Sequence, residues 1–134
     1  MVMIKVVIFD YGSVLFRNLS FQKPVFDLAK DLKSQGYQVA LLSNMYSPLA
    51  WIARHFGRID IFDPIIISSE VGFAKPDKKI YKIILKELDI PAKYCLFIDD
   101  RAENIATAKN LGMTVLLARS TDQIVKETIN ILSK

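Results

Sequence analysis

Little in this 134-residue chain would cross-link it, and little would carry it into a membrane. A single cysteine, Cys95, excludes an internal disulfide, and its place inside an apolar run makes it a small core residue. The one histidine, His55, falls in an amphipathic helical pattern rather than at a strand end, which suits a surface or packing role better than catalysis. No segment approaches the roughly 20 apolar residues of a membrane span. The apolar run at the N-terminus is too short for a secretory signal and ends in an acid, so a cytoplasmic protein without a membrane partner is expected. Low-complexity tracts and internal repeats are missing. An excess of basic residues of one sign is missing too: 18 against 14 acidic leaves only +4. The densest basic group, Lys75, Lys78, Lys79, Lys82, Lys86 and Lys93, is interleaved with Asp77, Glu87 and Asp89. That pattern reads as a solvated helix face and argues against a nucleic-acid partner.

What is present fits one layered domain spanning 1–134, long enough for a core but too short for a substantial second module. From Met3 the chain is nearly continuously β-branched and apolar until it stops at Asp10, where small turn-prone residues follow. Such a run suits a strand buried on both faces, with its carboxylate at the tip. Alone, Asp10 reads more readily as a turn residue. A second junction of the same make, residues 94–100 ending in Asp99 and Asp100, favours a reactive group.

Between the two junctions strands and helices alternate. After an irregular piece at 16–22 comes a helix with Pro24 near its start, Val25, Leu28, Ala29 and Leu32 on one face, and Gly36 at its end. Strands are expected at 37–42, finishing in Ser43 and Asn44, and at 64–68, with a helix at 48–56 between them. Residues 72–77 form a loop that turns into a helix with Pro76 at its first position and Ile80, Tyr81, Ile83, Ile84 and Leu88 as its buried stripe. A strand at 94–98, a helix at 101–111 closed by Gly112, a strand at 113–117 and a last helix through Leu132, opened by a Ser120/Gln123 capping box, complete the chain. Strict alternation implies a three-layer α/β/α doubly wound parallel sheet of five strands. In such a sheet all strand C-termini lie on one side, so Asp10, Ser43, Asn44, Lys75, Asp99 and Asp100 converge. Close carboxylates raise one another's pKa unless a cation neutralises them, and an all-oxygen set suits Mg²⁺. Lys75 and the Ser43 hydroxyl would then hold a phosphate against it.

On these residues the chain resembles the haloacid dehalogenase (HAD) superfamily of phosphoryl-transfer enzymes, over nearly its whole length. Ile8-Phe9-Asp10-Tyr11-Gly12-Ser13-Val14-Leu15 is similar to the first family motif, Leu41-Leu42-Ser43-Asn44 to the second, Gly72-Phe73-Ala74-Lys75-Pro76-Asp77 with Ile80-Tyr81 to the third, and Phe97-Ile98-Asp99-Asp100-Arg101-Ala102-Glu103-Asn104-Ile105 to the fourth. The resemblance implies a hydrolase working through an aspartyl-phosphate on Asp10. It implies Mg²⁺ held by Asp10, the Gly12 carbonyl and Asp100, with Asp99 either a further ligand or an outer partner. Phosphate would be gripped by Ser43, the Asn44 amide and Lys75. Asn104 either orients a ligand or makes a helix-start hydrogen bond.

Two departures stand out. Phosphatases of the family carry a general acid two positions after the nucleophile, and here that position is Gly12, with no acidic residue between Asp10 and Asp27 to replace it. Proton transfer to the leaving group is worth about 10² to 10⁴ in rate, so aryl and acyl phosphates should be hydrolysed better than alkyl phosphates. The intervals from Asp10 to Ser43 and from Ser43 to Lys75 also leave no room for a cap domain. An open site accepts a macromolecular substrate, borrows a neighbouring subunit of a homo-oligomer as its lid, or is unselective. Phe16, Phe21 and Trp51 read as core residues or as such a contact. The competing reading of the whole chain is a catalytically weakened HAD-like binding or regulatory module. A response-regulator receiver is excluded by order, because there the acidic pair comes early and here it comes last.

Overall fold

In a computed structural model, which describes residues 3–134, the β-branched run after Lys5 forms the central strand β1 (Val6–Phe9), buried along its whole length. Strand β4 (Gln38–Ser43) lies parallel on one side of it and β6 (Cys95–Asp99) parallel on the other. Strands β5 (Ile65–Ile67) and β7 (Thr114–Leu117) extend the sheet outward in the order β5-β4-β1-β6-β7, all parallel. Alternate residues of β1 serve opposite cores: Val7 and Phe9 pack with α1 (Lys23–Ser34), α2 (Ser47–Phe56) and α6 (Thr121–Leu132), while Val6 and Ile8 pack with α4 (Lys78–Leu88) and α5 (Ala102–Asn110). This is the expected three-layer doubly wound sheet of five strands, with no cap domain among the described residues.

Three local expectations are corrected. Residues 16–22 are not irregular: β2 (Phe16–Arg17) and β3 (Ser20–Phe21) form an antiparallel hairpin. Its two turn residues, Asn18 and Leu19, both take left-handed φ angles, 53° and 59°, as a tight two-residue hairpin turn requires. Phe16 and Phe21 sit directly opposite, their rings edge to face at 5.2 Å. A one-turn helix, α3 (Ser68–Val71), follows β5 and is closed by Gly72 at φ 85°. It is too short to show a period in the sequence. Pro76 is not the first residue of α4; Asp77 caps that helix by accepting from the Lys79 amide at 2.9 Å, so the helix begins one residue beyond it. The Ser120/Gln123 capping box is present, and Cys95 lies fully buried.

Candidate active site

The strand register brings the acids together. Phe9 pairs with Leu41 of β4 and with Ile98 of β6, and the Asp10 amide donates to the Ile98 carbonyl at 3.1 Å. Asp10 therefore emerges between Leu42 and Asp99 at the carboxyl edge, where the chain's crossovers change direction. Oxygens of Asp10, Asp99 and Asp100 lie within 4.8 Å of one another. A cleft lined by Asp10, Gly12, Asn44, Lys75, Asp100 and Asn104 opens above them.

Lys75 enters from the loop before α4 and is almost wholly buried. Its three ammonium donors reach Asp99 Oδ2 at 2.7 Å, the Leu42 carbonyl at 2.8 Å and Asp10 Oδ1 at 3.0 Å. All are engaged with protein, so a phosphate contact from Lys75 exchanges for one of them. Asn44 fixes the backbone on which Lys75 rides: its Nδ2 donates to the Lys75 carbonyl and its Oδ1 accepts from the Lys75 amide, each at 2.9 Å. The sequence pattern had assigned Asn44 only a phosphate-binding amide, and this reciprocal clasp is an addition. Ser43, at the tip of β4, is buried, and its hydroxyl makes no hydrogen bond to the described residues; it lines a neighbouring apolar cavity rather than the acidic cleft itself.

Asp99 is held on every side. Oδ1 accepts from the Arg101 amide at 2.9 Å, Oδ2 from Lys75, and the Asn104 side-chain amide spans both at 3.3 and 3.2 Å. Of the two readings left open for Asp99, this geometry favours the outer partner that anchors Lys75. Asn104 orients that carboxylate, and its own carbonyl accepts from the buried Tyr81 hydroxyl at 2.8 Å. The Leu42 carbonyl carried no signal that sequence reasoning could have used, and Tyr81 showed only as a buried residue of the third motif, because its bond to Asn104 depends on tertiary position.

Asp10 is asymmetric. Oδ1 accepts from Lys75 and from the Tyr11 amide at 2.9 Å, whereas Oδ2 accepts no hydrogen bond from the described residues. Burial is the main cause that pushes its carboxyl up to about 7; Lys75 opposes this, while Asp99 and Asp100 add to it. Three carboxylates thus share one ammonium, an excess of negative charge that a divalent cation would balance. The oxygen-only donor set fits Mg²⁺ rather than a softer ion.

A family model of haloacid dehalogenase-like hydrolases matches residues 21–112, taking in Ser43, Lys75, Asp99 and Asp100 but not Asp10. The chain belongs to this family. A sesquiterpene phosphatase of Aspergillus oryzae is 36% identical to this HAD-like hydrolase over 91 residues, 66% of this chain and 46% of that protein. A predicted HAD-like hydrolase from Porphyromonas gingivalis superposes with a TM-score of 0.85 at 19% identity, over 98% of this chain and 99% of the other. A HAD-family enzyme from Bacteroides thetaiotaomicron, solved with magnesium and inorganic phosphate, matches at 30% identity and TM-score 0.62 over 70% of this chain and 50% of that one. The chain spans less than half the length of the curated relatives it matches. No helix among the described residues is long and apolar enough to cross a membrane.

Proposed function

We propose that this hydrolase is a Mg²⁺-dependent phosphatase that acts through an aspartyl-phosphate on Asp10. The observation that carries the reading is the asymmetry of Asp10: one oxygen is pinned by Lys75 and Tyr11, which leaves Oδ2 as the attacking atom. Asp10, the Gly12 carbonyl and Asp100 would hold the metal, and Asp99 would keep Lys75 in place. Bound there, Mg²⁺ would supply positive charge to offset that of the phosphoryl group and its neighbouring acids. The phosphatase relative and the magnesium- and phosphate-bound neighbour support this assignment.

Asp10 Oδ2 forms a bond to phosphorus while the ester P–O bond breaks and its electron pair leaves on the alcohol oxygen. Lys75 and the Ser43 hydroxyl receive the charge of the transferring group, and water then cleaves the acyl phosphate to free Asp10. With Gly12 in place of a general acid, the departing oxygen takes its proton from solvent. Substrates whose leaving groups are stable as anions are therefore favoured, and turnover of alkyl phosphates is slow.

The test is phosphate release from p-nitrophenyl phosphate with and without Mg²⁺, in wild type and Asp10→Asn. Release is expected only in the wild type with metal. Equal release by both proteins would favour the second reading, a HAD-like module that binds without turnover, to which Gly12 lends its support.

A further inference from the structure

An apolar cavity of about 230 Å³ lies beside the acidic cleft, between the hairpin and α2. Its walls are Phe16, Phe21, Met45, Ile52, Ala53 and Phe56. We propose that this cavity is the leaving-group pocket and that the substrate is the phosphate monoester of a single-ring phenol. The proposal rests on the phosphatase reading above and names its substrate class.

Position is the first argument. Gly12 and Asn44 line both the cavity and the acidic cleft, and Ser43 stands on the cavity side with its hydroxyl unpartnered. An ester whose phosphorus sits at Asp10 enters the cavity past these three residues. Gly12 leaves the way clear, since a Cβ built there would meet no atom within 4 Å. An aspartate at this position would set a charge at the mouth of an apolar chamber.

Size and chemistry point the same way. A dry protein cavity of about 150 Å³ holds benzene, so this volume is large enough for one ring with a substituent. The rings of Tyr11 and Phe16 stack at 5.9 Å, and Phe21 meets Phe16 edge-on, which gives a firm aromatic wall. Ile52 and Phe56 remain 48% and 66% exposed, apolar surface that a bound ring would cover. A phenol-like leaving oxygen has a pKa of about 10, against roughly 16 for water, so a phenolate departs without the missing acid. A small acyl phosphate such as acetyl phosphate meets that requirement but has nothing to fill the chamber. An alkyl phosphate such as glycerol phosphate meets neither. In the step itself Asp10 Oδ2 bonds to phosphorus, the aryl P–O bond breaks, the phenolate takes the electron pair and then a proton from water, and a second water releases phosphate.

The experiment measures kcat/KM for phenyl phosphate, acetyl phosphate and glycerol phosphate with Mg²⁺, in wild type, Ile52→Glu and Phe56→Glu. Both positions are solvent-exposed, so at least one variant folds, which is checked by circular dichroism. Phenyl phosphate is expected to be the best of the three, and the phenyl-to-acetyl ratio is expected to fall by at least about tenfold in a folded variant. If acetyl phosphate is hydrolysed but the ratio does not move, or glycerol phosphate is preferred, the pocket assignment is overturned while the phosphatase reading stands. If none of the three releases phosphate, both are overturned.

Discussion

The floor of the site and its flank are built on opposite principles. On the floor, Lys75, Asp99, Asn104 and Asn44 are closed into one buried network in which nearly every donor and acceptor has a partner. On the flank, α2 buries only Ala50 and Ala53, and Trp51, Ile52 and Phe56 stay open to solvent. Among the described residues, the only polar tie there with two charged ends is Arg54 to Glu70, partly exposed, at 2.5 and 2.8 Å. Buried charges require full pairing because water is not available to screen them, so the floor has one workable arrangement. The flank is under no such constraint and can vary in shape.

The sharpest way to break this contrast is to move a function from one region to the other. Gly12→Asp would place an acid at the boundary, and with no atom within 4 Å of a Cβ there, the fold should accept it. Hydrolysis of an alkyl phosphate is expected to rise by about 10² to 10⁴; an unchanged rate would show that proton transfer does not limit the reaction. On the floor, Lys75→Ala leaves Asp10 and Asp99 without their buried counter-ion. Urea unfolding at neutral pH should then show a loss of about 3–5 kcal/mol, and a loss below about 1 kcal/mol would mean the network is not a unit.

A smaller effect separates the regions by pH. In the metal-free protein the Asp10 carboxyl holds its proton in the folded state between its ordinary value of 3.8 and about 7, where the unfolded chain has already released it. The folded form therefore binds more protons, and stability must fall as pH rises through that window. Urea midpoints taken in EDTA should decline accordingly, and added Mg²⁺ should remove the decline. A midpoint that rises with pH would contradict the assigned burial of Asp10. The smallest change is expected on the flank. There Arg54→Ala should cost under about 1 kcal/mol, because an exposed pair is screened by solvent, and a larger loss in the same urea assay would give the flank a rigidity it is not credited with.

The floor was legible in the sequence for a physical reason. A carboxylate at the end of a fully apolar strand, as at Asp10 and Asp99, is costly unless it has a purpose, and parallel strands deliver such ends to one edge. Lys75 was legible as a residue of that edge, though as a phosphate ligand; its bond to Asp99 became visible only with the loop before α4 in place. The parallel alignment of the five strands followed from alternation alone, whereas their order in the sheet, β5-β4-β1-β6-β7, came only from the structure. The hairpin was not legible, because its turn holds Leu19 in a left-handed conformation that residue type disfavours and packing of Phe16 on Phe21 sustains. Nor was the split role of Asn44, whose side chain finds Lys75 only once β4 and the loop before α4 lie side by side. The apolar cavity escaped for the same reason, since Phe16 and Phe21 read as core residues or as an oligomer contact until their neighbours are known.

The Asn44 clasp has a consequence for how this protein can diversify. It fastens the chain after β4 to the chain before α4 at both ends of one amide, so a wedge entering beside Gly12 pushes on the hairpin and not on Lys75. Residues 16–21 can therefore be rewritten to admit differently shaped molecules while the charge network beneath them is left undisturbed.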